Sequence, residues 1–433
     1  MTAPARGRGL LVDLTPLRES APYRRLWAGL SLGNIGQQVA ITAIGLQVYD
    51  LTRSSFAVGL TGLFGLVPLV LLGLYGGSIV DAHDRRRVAL LASVALWVTS
   101  VLTAVQAWAD LRSVWLLYLL VAGQAAAFAV TNPARAAIVP RLVRGELLPA
   151  ANALASLSAT LGFAVGPFVG GLMVGQVGFG AAYTLDAVMY LAALYGLWRL
   201  PPMPPEGPTR RAGLRSVLAG LAFLGTRPNL RMTFLVDLAA MVLAQPRALF
   251  PAIGAVLLGG GATTAGGLGA AVAVGSMLAA AVSGPLGGVR RQGLAVLWCV
   301  AGWGLSIAGF GLCLLVAGAD PPASSAAGVS GWVWPAAGCL ALAGAADAVS
   351  AVFRMTILQA ASPDQLRGRL QGVFIVVVAG GPRLGDVTAG SAGELFGVPW
   401  ATVAGGLACT LLVGLLHRAQ PRFARYDSRA PEP

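Results

Sequence analysis

The chain has 433 residues, is 56% hydrophobic and only 11% charged, and has a mean hydropathy of +0.75; a soluble domain carries about 25% charged residues, so a soluble fold is excluded. The net charge of +13 is built from arginine alone, with no lysine, and the arginines fall in short bursts between apolar runs. That distribution argues against a basic face for nucleic acid.

Residues 1–24 are polar and arginine-bearing and lack a small-residue cleavage pattern. They read as a cytoplasmic segment and not a signal peptide. Apolar runs long enough to span a bilayer, about 20 residues, follow at 25–48, 56–80, 88–109, 113–138, 148–175 and 179–200. Residues 201–229 form the longest polar interruption. They open with "PPMPPEGP" and continue with Leu214, Val217, Leu218 and Leu221 on one helical face, which predicts an amphipathic surface helix. Six further runs cover 230–257, 263–288, 293–318, 332–358, 367–394 and 397–417, ahead of a polar tail at 418–433. The expectation is an all-α integral membrane protein of 12 transmembrane helices, in two pseudo-symmetric six-helix bundles at 25–200 and 230–417.

An even number of spans puts both termini on one face. Arg85–Arg87, Arg135, Arg141, Arg144, Arg290, Arg291, Arg367 and Arg369 share that face with the termini and the linker, whereas the opposite face holds only Arg53 and Arg112. Cytoplasmic loops retain positive charge, so both termini are expected in the cytoplasm, with the chain multi-pass in the inner membrane. The halves also echo each other: Arg135 aligns with Arg354 and Leu147 with Leu366 at one common offset. A duplicated six-helix unit is typical of secondary transporters.

Polar groups inside the spans are few. Span one carries Asn34, Gln37 and Gln38, span six Asp186, and span seven Asp237, Gln245 and Arg247. Span ten carries Asp347 and Arg354, and span eleven Arg383 and Asp386, with Glu394 at the outer edge. At about 1.5 Å of rise per residue, Asp347, Arg383 and Asp386 lie nearest the midplane. Intramembrane charges point to substrate or proton pathways, and the competing reading is a set of buried ion pairs that fix helix register. Arg383 and Asp386 are i and i+3 neighbours able to pair, in a stretch that Gly380, Gly381 and Pro382 are expected to interrupt. Gln245 and the polar residues of span one are candidate cavity walls.

Four cysteines, Cys299, Cys313, Cys339 and Cys409, lack metal-ligand spacing, and the two histidines are far apart. No metal, cofactor or catalytic cluster is expected, which excludes a membrane-embedded enzyme; a channel would need a repeated selectivity segment that is missing.

Four stretches carry a family resemblance. "GGSIVDAHDRRRVAL", from Gly76, resembles the loop signature of the major facilitator superfamily, although Ala82 and Asp84 depart from it. The resemblance implies that Gly77, Asp81, Arg85 and Arg86 bias one conformation. "GFAVGPFVGG" resembles the superfamily's exporter motif, through Gly162, Gly166, Pro167, Gly170 and Gly171; glycines at this spacing allow close helix contact and Pro167 predicts a bend. "NPARAAIVPRLV" with "LPAANAL", and "DLAAMVLAQPRALFPA" with "GPRLGD", resemble the enterobactin exporter family, over about Tyr23 to Tyr426. The resemblance implies a monomeric exporter working by alternating access. It would exchange protons for a small-molecule substrate, a catecholate siderophore of the enterobactin type. A multidrug or antibiotic (macrolide or tetracycline) pump is the alternative. Span four lacks the deep arginine common in proton-coupled drug exporters: only Gln124 is polar at depth.

Overall fold

Chain breaks and capping residues divide the apolar sequence into separate rods. A computed structural model of the chain describes residues 13–204, 222–319, 328–360 and 367–427; the expected amphipathic helix in the linker lies outside these residues. Helix α1 spans Ala21–Thr52, and the Ser20 side chain caps it by accepting from the Tyr23 amide. Side chains of Ser54, Asp84 and Ser113 cap α2 (Ser55–Ala82), α3 (Arg85–Trp108) and α4 (Val114–Ile138) in the same way. Each supplies an acceptor to an amide that the helix cannot satisfy.

Helices α5 (Leu148–Gln176) and α6 (Phe179–Trp198) complete the first half. Helix α7 begins at Pro228. It is followed by α8 (Gly261–Ala281), α9 (Gln292–Ala319), α10 (Val333–Ala360), α11 (Arg367–Phe396) and α12 (Val398–Ala419). Nine helical segments among the described residues are long and apolar enough to cross a membrane.

Three expectations need correction. Span seven is not continuous: α7 stops at Leu243, resumes as a 3-10 turn at Arg247–Leu249 and ends in a π turn at Ile253–Leu257. Pro246 has no N–H and disfavours helical geometry at Gln245. The freed carbonyls are satisfied from neighbouring helices: Ala244 O accepts from the Trp303 indole at 3.1 Å and Val242 O from the Thr388 hydroxyl. Conversely, Gly380–Pro382 does not interrupt α11, which runs through its proline. One lost ladder bond is tolerated when packed neighbours hold the helix on both sides. Span eight ends at Ala281, and "GPLGG" forms a 3-10 turn in place of its last residues.

Within the first half α1 packs on α5 and α6, α4 on α2 and α3, and α3 on α6. The second half repeats the scheme where α10 packs on α8 and α9. The halves meet along α2–α11 and α5–α8. On the face opposite the termini, the Ser54 hydroxyl donates to Glu394 at 3.0 Å, tying the α1–α2 turn to α11. Glycine sets the spacing of both contacts. A methyl group at Gly59 or Gly62 would strike the α11 backbone at Asp386 or Arg383, and one at Gly171 would strike Ala262 and Gly266 of α8. All of these lie in the half of the membrane away from the termini.

Candidate functional site

The second half gathers its charges into two groups. In the first, Arg354 of α10 reaches two carboxylates. It donates through Nη1 to Asp237 of α7, and through Nη2 to Asp347, 3.2 Å away and two turns earlier on α10. Exposure separates the acids: the Asp237 side chain is 4% exposed and that of Arg354 7%, but that of Asp347 is 47% exposed. Asp347 lies on the side of α10 turned away from the exposed Leu342 and Val352. Two acids sharing one guanidinium carry a net charge of −1, and a single proton neutralises the group. Ser350 shares this face, but its buried hydroxyl has no hydrogen-bond partner among the described residues.

In the second group Asp386 of α11 is half-buried where α2 and α11 meet. The charges of Arg247, in the 3-10 turn of α7, and Arg383 both act on it, and its Oδ1 has no hydrogen-bond partner among the described residues. Arg383 runs along α2 beside Gly65. The glycines around it let α7 approach: Gly385 lies against the Met241 carbonyl and Gln245, and Gly381 against the Met241 side chain. Gln245 and Arg247 are half-buried at the α7 break.

The remaining acids and amides stay in the first half. Asp186 is buried beside the Ser100 hydroxyl and Gly36, apart from both groups. Asn34 donates to Ser158 at 3.2 Å, and Gln38 is buried against Gly166, with Gln37 half-buried beside it. The exporter-motif glycines therefore face two partners. Gly162, Gly166 and Gly170 lie against Asn34, Gln38 and Val39 of α1, and Gly171 and Pro167 lie against α8.

Two arrangements escaped the sequence reading. Gln47 accepts from Tyr183 at 2.8 Å and from Gln106 at 3.0 Å in a buried network; two glutamines in otherwise apolar runs were the available signal. Arg135 donates to Tyr190 at 2.6 Å and Ser93 at 3.2 Å, which locks it inside the first bundle.

In the α2–α3 loop the backbone at Gly77 and Asp81 is helical, and the Asp81 side chain lies outside the described residues. Asp84 is the anchor there. It accepts from the Arg87 amide at 2.9 Å and from the Met203 amide at 2.8 Å, and Arg85 donates to Ala137 O at 3.3 Å. Burial alone raises the Asp84 carboxyl, but the amides of Arg87, Met203 and Arg86 outweigh it and hold it below its ordinary range. A depressed folded-state value means that Asp84 contributes its stabilisation above the ordinary carboxylate range, near pH 4. That contribution disappears as pH falls through the lower folded-state value. Asp84→Ala is expected to destabilise the protein by about 1 kcal/mol at pH 7 and by less at pH 3. Equal unfolding shifts at both pH values would contradict this role.

Residues 12–433 match the family described as transmembrane secretion effectors of the major facilitator class. Among curated proteins, the chain is 29% identical to the enterobactin exporter EntS of Shigella boydii serotype 18, over 94% of this chain and 93% of that protein. It is equally 29% identical to EntS of Escherichia coli O157:H7. Among solved structures it superposes on the nucleoside transporter NupG with a TM-score of 0.71, at 13% identity, covering 92% of this chain and 99% of that one. A bacterial homologue of the iron transporter ferroportin in an inward-facing state gives a TM-score of 0.65 at 16% identity, covering 93% and 98%.

Proposed function

The chain belongs to the transmembrane secretion effector family of major facilitator transporters, and from that premise we propose that it exports an enterobactin-type siderophore in exchange for protons, by alternating access. It is a multi-pass membrane transporter and not an enzyme. The cargo rests on the EntS relatives, which align along nearly the whole chain. The observation that carries the coupling is the Arg354 group: a half-exposed carboxylate, a guanidinium and a buried carboxylate from a second helix. Such a group can take up a proton without stranding a charge in the bilayer. Arg247 and Arg383 supply positive charge near the α2–α11 contact, which suits an acidic phenolic cargo. The test is uptake of iron-free enterobactin into everted vesicles under an imposed pH gradient. Transport of a macrolide or tetracycline in its place would shift the reading to drug efflux.

The same reading places the termini in the cytoplasm, so that the interior opens inward and the α2–α11 and α5–α8 contacts seal the outer side. In a cysteine-free background, Arg112→Cys should label from outside intact cells, and Arg422→Cys only after permeabilisation. Labelling of Arg422→Cys in intact cells would reverse the orientation.

A further inference from the structure

Arg25 of α1, Arg86 of α3 and Arg199 after α6 line one pocket of about 380 Å³ together with Trp198 and Leu200. Three helices bring three guanidinium groups to one place, and none of these residues is within ion-pair distance of a carboxylate among the described residues. Arg86 is held in position by donating to Trp198 O at 2.6 Å, while its buried Nε has no partner among the described residues. Arg25 Nε donates to Ala21 O at 3.2 Å, and Arg25 lines the pocket. Guanidinium groups pair with phosphate oxygens in bidentate fashion, so the pocket suits a phosphate anion.

What lies along the helix from the pocket selects the source of that anion. Trp198 is 59% exposed, and one turn, two turns and three turns back along α6 the same face carries Tyr195, Leu191 and Val188, all exposed. The neighbouring α3 presents a parallel stripe from Leu91 to Val105. Exposed tryptophan and tyrosine mark the headgroup level of a bilayer, and the two apolar stripes run from there into the hydrocarbon region.

We propose that this pocket binds the phosphate of an anionic phospholipid in the leaflet nearest the termini, its acyl chains lying on the α3 and α6 stripes. Basic pockets between transmembrane helices recognise anionic headgroups in this way. Because Arg86 lies in the first turn of α3, directly after the α2–α3 loop, the lipid would touch the segment that the family signature assigns to conformational control. This site is separate from the charged groups in the second half and does not depend on the cargo.

The test is native mass spectrometry of the full-length, detergent-solubilised protein with phosphatidylglycerol or phosphatidylcholine added. Wild type should retain phosphatidylglycerol and release phosphatidylcholine. Arg25→Gln/Arg199→Gln should lower retention roughly thirtyfold, as expected for two basic residues at an anionic surface. Arg199→Gln alone, an exposed side chain that makes no described hydrogen bond, should lower it about fivefold. The charge-matched Arg418→Gln/Arg422→Gln pair should match wild type. Undiminished retention in the first double variant would overturn the proposal, as would equal loss in the second or equal retention of phosphatidylcholine. Displacement of the lipid by excess inorganic phosphate would reassign the pocket to free phosphate and also overturn it.

Discussion

Arg354→Ala should destabilise the protein by about 3–5 kcal/mol, the range measured when one partner of a buried ion pair is removed. The guanidinium is the only cation that Asp237 and Asp347 are bonded to among the described residues. Without it, Asp237 keeps a carboxylate that is 4% exposed, in surroundings where an uncompensated charge is strongly disfavoured. Asp347 suffers less because water reaches it. The expected observation is a large drop in thermal unfolding temperature in detergent, with Arg354→Lys intermediate because an ammonium lacks the fork that spans two carboxylates. Arg354→Ala/Asp237→Asn should recover much of the loss, since a neutral amide replaces the stranded charge. If the single variant unfolds within about 0.5 kcal/mol of wild type, a surface-like change, then the pair is open to water and the assigned burial is wrong.

The Arg354 group also marks the limit of what the sequence reveals. Spacing on one helix placed Asp347 and Arg354 on a common face. The second acid, Asp237, is 117 residues from Arg354, and no local pattern connects them; only the packing of α7 against α10 does. The all-α membrane fold was legible because apolar runs of the right length alternate with arginine-rich polar segments, a pattern imposed by the bilayer and not by side-chain detail. The α7 break was readable from Gln245–Pro246, yet hydropathy over the whole window concealed it. The opposite error arose at Gly380–Pro382, where glycine and proline read as a helix breaker. Their setting explains the difference: Gly381 and Gly385 let α7 approach, and Gly380 lies beside Leu66 of α2. Glycine there serves contact, and the helix persists because neighbours on both sides hold it.

Asp347→Asn and Asp386→Asn should each remove the dependence of export on a pH gradient while leaving cargo exchange without a gradient intact. Antiport requires carboxylates that water reaches from one side at a time, since simultaneous access from both would leak protons. The Asp347 side chain is 47% exposed, which makes it the carboxylate proposed to exchange protons while the interior faces the termini. Asp386 is half-buried, its backbone lies in the α2–α11 contact against Gly59, and its Oδ1 has no hydrogen-bond partner among the described residues. In the proposed cycle it is the carboxylate that exchanges protons with the opposite face once α2 and α11 part. We propose that the two carboxylates alternate, with Arg354 opposing the negative charge of one and Arg247 and Arg383 that of the other while each is unprotonated. An amide preserves shape and hydrogen bonding but cannot titrate, so gradient-driven uptake into everted vesicles should fall by about tenfold or more, equivalent to about 1.4 kcal/mol in the driven step. Gradient-free counterflow of the same cargo should stay near wild type, which separates coupling from binding. If both asparagine variants keep gradient-driven transport, these carboxylates serve only as structural partners of the arginines. The proton would then have to travel through Asp237 or Asp186, the two acids buried away from water in the present conformation.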